Sequence, residues 1–198
     1  YRDLNGDGKI TDKDRTWIAV QHPDFIYGLN INLEYRNFDL TMFWQGVFNI
    51  DVENIQKYHT DFWSVRETGS NKGRRLLDAW SPSNPDSDIP AISATDTNWE
   101  NRLSTYFIEN GSYLKLRTLQ LGYTLPKRWA FKVKMDKFRL YVSGQNLLTI
   151  KSKSFTGIDP ENPAFGYPIP MSFTVGANIS FYCLLYTSPS PRDRSVSR

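Results

Sequence analysis

The chain has 198 residues, of which 39% are hydrophobic and 15% aromatic, and its mean hydropathy is −0.52. It has no run of eighteen apolar residues, which excludes a transmembrane helix but leaves a transmembrane β-barrel open, because half of each barrel strand is polar. The net charge of +3 comes mostly from the last seventeen residues, since the residues before them carry 21 basic and 20 acidic side chains. This near balance of charge argues against a nucleic-acid partner.

The residue types that carry most catalytic and metal chemistry are scarce. Cys183 is the only cysteine, so no disulfide framework, Cys/His zinc site or redox motif can form. His22 and His59 stand alone in unlike surroundings, and we interpret both as loop residues. The sequence also lacks a nucleophile elbow, a paired acid and base in register, and a phosphate loop. We therefore predict that the chain is not an enzyme and has no catalytic residues.

Residues 3–14, DLNGDGKITDKD, match a calcium-binding loop in the spacing of its ligands. A hard cation needs about six or seven oxygens, which alternate side chains on a tight turn at Gly8 can supply. The predicted ligands are Asp3, Asn5, Asp7, the carbonyl of Lys9, Thr11 and Asp14. Asp14 stands where such loops have Glu and reaches less well for bidentate ligation, so the predicted Ca²⁺ site is weak or prefers a smaller ion. The alternative is an Asp/Asn/Gly turn without metal.

Residues 25–47, FIYGLNINLEYRNFDLTMFWQGV, predict one long β-hairpin with two different faces. From Tyr27 to Tyr35 the odd-numbered residues are apolar and the even-numbered residues are polar or Gly, a strict period of two. In the second half the even-numbered residues from Phe38 are apolar, and Phe43 is the one misfit. A two-residue turn at 36–37 pairs Tyr35 with Phe38, so the register agrees across the turn.

The length and the aromatic ends of this hairpin favour a membrane environment. Each strand is close in length to the about 9–11 residues that a tilted membrane strand needs. The row from Tyr27 to Tyr35 spans roughly 26 Å, or about 20 Å of height after tilting, close to the apolar band of an outer-membrane barrel. From the hairpin alone the alternative is a soluble β-sandwich, in which a second sheet packs on the apolar face.

Residues 48–105 show no sustained period and carry three prolines, which predicts a long loop of the kind that outer-membrane barrels place on the extracellular side. Trp63, Trp80 and Trp99 lie in this loop among polar residues. They either stack on sugar rings or pin the loop, and we favour pinning.

Three further strands are predicted at residues 113–126, 137–150 and 172–181. Residues 127–136 form a turn on the same side as residues 36–37, and a Pro-rich loop at 157–170 follows the fourth strand. Short turns thus alternate with long loops, which is typical of outer-membrane barrels.

The alternation along these strands sorts the side chains into two sets. The polar side chains predicted to face the lumen are Asn30, Asn32, Glu34, Thr118, Gln120, Arg139, Tyr141 and Gln145. The predicted aromatic girdle residues, next to outer-membrane lipid, are Tyr27, Tyr35, Phe38, Trp44, Tyr123, Phe173 and Phe181.

Six segments form an ordered series: DLNGDGKI, PDFIYGLNINLEYRNFDLTMFWQG, YLKLRTLQLGYTLP, RLYVSGQNLLT, GIDPENP and YPIPMSFTVGANISF. In that order they resemble the C-terminal end of the SusC/RagA family of TonB-dependent outer-membrane transporters. The resemblance covers residues 1–181, and the ordered series is more specific than any one segment.

This resemblance implies an all-β fold, in which the chain forms the C-terminal five strands of an antiparallel transmembrane β-barrel of about 22 strands with long extracellular loops. Residues 1–24 would be an extracellular loop that contains the calcium-type motif. The implied function is TonB-dependent import of oligosaccharides (glycan uptake) or peptides across the bacterial outer membrane, with a SusD-like surface lipoprotein as lid. The plug, on which the polar row would pack, and the segment that touches TonB would lie upstream.

Both ends of the chain carry expectations of their own. Because Tyr1 stands first in place of Met, we expect the chain to begin inside a larger protein. Residues 182–198, YCLLYTSPSPRDRSVSR, break the alternation after Phe181 and are rich in Ser, Pro and Arg. We interpret them as a non-native tail from vector or adaptor sequence, the alternative being a native disordered extension.

The rival function comes from another class: a secreted, calcium-dependent, carbohydrate-binding β-sandwich module. It accounts for the calcium-type loop and the tryptophans. It does not account for aromatic side chains at both ends of the apolar rows.

Overall fold

The computed structural model describes residues 1–63, 71–95, 102–132, 134–164 and 166–181. Its strands are β1 (Phe25–Tyr35), β2 (Phe38–Phe48), β3 (Asp51–Glu53), β4 (Ile108–Asn110), β5 (Tyr113–Thr124), β6 (Met135–Lys151) and β7 (Ser172–Phe181). Its helical segments are a 3₁₀ turn (Asp12–Asp14), α1 (Ile55–Lys57), a π-helical stretch (Tyr58–Trp63), a second 3₁₀ turn (Arg74–Asp78) and α2 (Lys127–Lys132). Within these ranges no helix has the length and apolar character needed to cross a membrane.

Five long strands pair antiparallel in one sheet, in the order β1-β2-β5-β6-β7, and the short strands β3 and β4 pair with each other. The predicted set of five strands is confirmed, with β6 three residues longer than expected: it begins at Met135 and ends at Lys151. The remaining boundaries agree with the alternation to within two residues.

The predicted register of the first hairpin is also observed. Tyr35 lies opposite Phe38, and Leu29 lies opposite Trp44 on the same face. Arg36 takes φ 55°, the left-handed conformation that a tight hairpin turn requires. The side chain of Asn37 then donates a 2.7 Å hydrogen bond to the carbonyl of Thr124, which ties the turn to the end of β5.

A β-bulge at Arg117 redirects the first third of β5. The pairing with β2 and with β6 shifts at this residue. Because one extra residue reverses the alternation, Leu114 and Leu116 join Leu119 on the apolar face, and Lys115 turns to the polar face. Simple alternation along β5 would have put Lys115 on the same face as Leu119.

Most of the apolar face of the five-stranded sheet is open, although Leu116 of β5 is buried. Leu29 is 55% exposed, Phe173 72% and Val175 77%. In a β-sandwich these side chains would be covered by a second sheet, whereas here they share one face of the sheet and are exposed. The arrangement fits a wall whose apolar side faces lipid.

Two expectations need correction, and others lie outside the described residues. Residues 127–136, expected to form a turn, contain the short helix α2, because Pro126 starts it and accepts hydrogen bonds from the backbone N–H of Trp129 and Ala130. The 48–105 loop contains β3 and three helical segments: α1, the π-helical stretch and the second 3₁₀ turn. The side chain of Trp63, all of Trp99, and the tail at 182–198 with its Cys183 fall outside the described part of the chain. Trp80 is half-exposed.

Candidate functional site

The polar face of the sheet carries all eight side chains that alternation assigned to it. Cross-strand pairs such as Asn32 with Thr41 and Gln120 with Ser143 fix this face across the strands. Its predicted members are Asn30, Asn32, Glu34, Thr118, Gln120, Arg139, Tyr141 and Gln145. Phe43, the misfit of the pattern, lies on this polar face opposite Asn30.

An ion pair crosses three strands near the short-turn end of the polar face. Arg139 of β6 donates from Nε to Oδ1 of Asp39 on β2 at 2.9 Å, and its Nη2 donates to Oδ2 of the same carboxylate. The two side chains meet over Gly122 of β5, where a Cβ would lie 2.5 Å from both carboxylate oxygens. Gly122 therefore makes room for the pair, which borders a cleft of about 430 Å³ with Asn32 and Glu34.

Gly122→Ala should destabilise the folded barrel by about 1–3 kcal/mol, because the new methyl group forces Asp39 and Arg139 apart. Urea titration of the full-length protein in vesicles would measure the free energy of unfolding. Gly166→Ala is the matched control, since a Cβ there meets no atom within 4 Å. Equal effects of the two changes would contradict the proposed role of Gly122.

A second charged network fixes the Pro-rich loop to the loop end of the polar face. Lys115, only 2% exposed, donates 2.7 Å hydrogen bonds to both carboxylate oxygens of Asp159 and to Glu161. Arg117 binds the other oxygen of Glu161 and donates to Gln45 at 2.9 Å. Burial alone would raise the pKa of Glu161, but the hydrogen bonds from Arg117 and Lys115 outweigh it and hold that pKa below its usual value.

A buried hydrogen-bond network joins three separate segments above the sheet. Glu109 of β4 accepts hydrogen bonds from Asn54 at 2.9 Å, from the backbone N–H of Thr156 at 2.8 Å, and from Lys57 at 2.8 Å. Asn54 is fully buried and Glu109 is 7% exposed. Burial would raise the pKa of Glu109, but these hydrogen bonds lower it below its usual value.

Asp61 is the centre of a neighbouring network. Its carboxylate accepts hydrogen bonds from Nε of Arg75 at 2.9 Å and from the hydroxyl of Tyr106 at 2.6 Å. Burial and the hydrogen bond to Asp61 raise the pKa of Tyr106 well above its usual value. The Tyr106 ring packs edge-on against Phe62 and Phe107, with ring centroids 5.6 and 5.3 Å away. These contacts give the loops their own small core.

A cleft of about 540 Å³ opens between these two networks. Lys57, Arg75, Glu109 and Tyr106 line it, together with Asp88 from the Pro-rich part of the loop. The two cations are already paired with carboxylates, so the cleft offers hydrogen-bonding groups with little net charge.

The predicted girdle residues all lie on the apolar face, and one aromatic pair extends them. Phe38 and Tyr123 pack with ring centroids 4.8 Å apart at the short-turn end. At the loop end Phe25 and Phe48 pair across β1 and β2 at 6.4 Å, although neither was in the predicted set. Extending the alternation one step before Tyr27 would have included Phe25.

Residues 3–14 form a compact turn held by their own carboxylates. Asp3 accepts hydrogen bonds from the backbone N–H of Gly6 at 2.7 Å and of Gly8 at 2.8 Å. Asp14 accepts from Leu4 at 2.9 Å and from Thr11 at 2.7 Å. The hydrogen bonds from Thr11 and Leu4 lower the pKa of Asp14.

The geometry of the turn is compatible with calcium ligation. Gly6 and Gly8 take φ 75° and 76°, the conformation that the calcium-loop pattern asks of the glycine at its sixth position, here Gly8. Each carboxylate oxygen that accepts one N–H keeps a further lone pair for a cation. In the described ranges no group of three or more His, Cys, Asp or Glu side chains is placed to hold a metal ion, so this loop would depend on amide, hydroxyl and carbonyl oxygens as well. Metal binding here stays a prediction.

No protein-family model matches the chain. Its relatives among characterised proteins are receptors of one kind: TonB-dependent receptor P3 of Formosa agariphila is 34% identical over 200 residues, 91% of this chain and 19% of that protein. TonB-dependent receptor SusC of Bacteroides thetaiotaomicron is 28% identical over 189 residues, 91% of this chain and 17% of SusC. The chain thus spans about a fifth of the length of these relatives.

Solved structures show the same fold. The RagAB peptide importer in its open-open state superposes with a TM-score of 0.63 at 24% identity, over 82% of this chain and 18% of that chain. A second structure, of the RagAB peptide transporter, superposes with a TM-score of 0.60 at 26% identity, over 78% of this chain and 17% of that chain. This chain belongs to the SusC/RagA-like TonB-dependent receptors.

Family membership settles three expectations from the sequence. The five-stranded sheet is part of a large antiparallel β-barrel, as the alternation and the resemblance predicted. SusC/RagA-like receptors are outer-membrane proteins, so the chain is assigned to the bacterial outer membrane. The relatives are receptors and not enzymes, in agreement with the prediction of no catalysis.

Proposed function

We propose that the protein containing this chain imports oligosaccharides or peptides across the outer membrane, driven through the TonB system. The observation that carries the proposal is the two-faced sheet, with an open apolar side and a polar side that bears charge networks and loops. Support comes from the relatives, which include SusC and the structures of the RagAB peptide importer.

The two faces take different roles in this proposal. The eight polar side chains line the lumen or pack on the plug, and the seven predicted aromatic residues lie in the girdles at the two lipid interfaces. The 540 Å³ cleft, on the side of the long loops, is a contact point for incoming substrate. A SusD-like surface lipoprotein closes the barrel above these loops, and the plug and the segment that touches TonB belong to other parts of the protein.

Uptake by a strain with and without the full-length gene tests this proposal. Both strains would receive the same mixture of oligosaccharides and peptides, and depletion of each compound would be followed by mass spectrometry. We expect the deletion strain to lose uptake of one compound class, and a strain that lacks TonB to lose the same class. Unchanged depletion of every compound in the deletion strain would contradict the function.

We also propose that residues 3–14 bind Ca²⁺ weakly on the extracellular side. Asp7→Ala removes a predicted ligand and should abolish calcium-dependent protection of this loop from proteolysis, while the barrel stays folded. Asp12→Ala is the matched control, because its exposed carboxylate pairs with Arg15 and is not a predicted ligand. If calcium fails to protect even the unaltered loop, the metal-free turn is the correct interpretation.

A further inference from the structure

Helix α2 lies in the short connection between β5 and β6, at the end of the sheet that carries the tight β1–β2 turn. In outer-membrane barrels the short turns are periplasmic, so α2 lies at the periplasmic rim. Ala130 is 1% exposed and docks the helix on the protein. The neighbouring side chains are exposed, so they face away from the contact that Ala130 makes.

These side chains are basic and aromatic. Lys127, Arg128, Lys132 and Lys134 are all exposed, and Trp129 is 68% exposed. Among the residues that the structure describes, none of the four cations forms an ion pair. Elsewhere the inward cations have carboxylate partners, as Arg139 has Asp39 and Lys115 has Asp159; the rim cations differ in this respect.

The apolar face of the sheet ends close to α2 in the chain, since Tyr123 of β5 lies four residues before the helix. Tyr35 is 68% exposed and Phe38 51% exposed at this end of the apolar face, and Phe38 packs on Tyr123. Trp side chains favour the membrane–water interface, where one part of the ring is apolar and the other is hydrated. Lys and Arg beside them attract anionic headgroups.

We propose that α2 and Lys134 form a docking surface for anionic phospholipid headgroups of the periplasmic leaflet. Phosphate oxygens accept hydrogen bonds from Arg128, Lys132 and Lys134, and Trp129 lies at the headgroup level beside the acyl chains. The surface anchors the rim of the barrel where β5 turns back into β6, independently of the substrate that the barrel carries.

Lipid titration of the full-length protein in detergent tests this surface, with bound lipid counted by native mass spectrometry. We expect the unaltered protein to bind short-chain phosphatidylglycerol more tightly than phosphatidylethanolamine. Arg128→Gln with Lys132→Gln should weaken phosphatidylglycerol binding by roughly 25-fold, about fivefold for each charge removed, and leave phosphatidylethanolamine binding unchanged. The matched control is Lys72→Gln with Lys153→Gln, which removes two exposed cations from the long-loop side and should change neither.

Three results would overturn the proposal. One is equal binding of the two lipids by the unaltered protein. The second is an equal loss of phosphatidylglycerol binding in the rim variant and in the control variant. The third is displacement of phosphatidylglycerol by inorganic phosphate at equal concentration. If the rim variant fails to fold, the salt dependence of lipid binding by the unaltered protein replaces it as the test. The preference of the unaltered protein for phosphatidylglycerol must then fall steeply with added salt.

Discussion

Replacing Lys115 by Met should destabilise the full-length barrel by about 3–5 kcal/mol, because it leaves the buried Asp159 without its cation, while Glu161 keeps only Arg117. Lys115 is 2% exposed, so solvent cannot take over its role. The free energy of unfolding of the protein in vesicles, measured by urea titration, gives the effect. Faster proteolysis within residues 157–170 should accompany it, since the lost contacts hold that loop on the sheet.

Two further variants separate charge from packing. Lys153→Met removes an exposed lysine near the same loop and should change stability little. Adding Asp159→Asn to the Lys115 variant should restore part of the loss, because it removes one uncompensated charge. If Lys153→Met costs as much as Lys115→Met, the network does not hold the loop.

Acid should reduce the difference between the unaltered protein and the Lys115 variant. The folded protein has a lowered pKa at Glu161, so the stability that this carboxylate contributes is complete above its unfolded pKa, near 4.5. It is lost as the pH falls through the lower folded pKa, where the carboxylate becomes protonated.

Ile31→Arg should cost about 2–4 kcal/mol, while Asn32→Arg should cost far less, because the two neighbours lie on opposite faces of β1. Arginine at residue 31 places a charge in the apolar face near the middle of the membrane. Arginine at residue 32 joins polar side chains in the lumen. The same urea titration in vesicles measures both, and equal losses would mean that the faces are wrongly assigned.

The faces of the sheet could be predicted because the side chains of a strand alternate between only two faces. The apolar residues of β1 and β7 show which of the two is the apolar face. Even the misfit Phe43 obeys the alternation and lies on the polar face. The bulge at Arg117 was missed although the sequence marks it: the apolar positions change from even at Leu114 and Leu116 to odd at Leu119, around the polar residues 117 and 118.

The charge networks could not be predicted because they depend on contacts between distant parts of the chain. Lys115 meets Asp159 across 44 positions, and Asn54 meets Thr156 across 102. Glu109 has no neighbour in sequence that would mark it as buried. Helix α2 was missed for a local reason: it is six residues long, too short for a helical period to stand out.

Cysteine scanning along β7 tests most directly whether the open apolar face meets lipid. In the full-length protein with Cys183→Ser, single cysteines would replace residues 173–178 in turn, in native outer membranes. We expect a water-soluble maleimide to label positions 174, 176 and 178 in the intact membranes, and positions 173, 175 and 177 only after the protein has been denatured, because maleimides react with the thiolate and lipid disfavours that form. Labelling of 173, 175 and 177 by the water-soluble reagent in the intact membranes, or no alternation, would contradict the assignment of this sheet to the wall of an outer-membrane barrel.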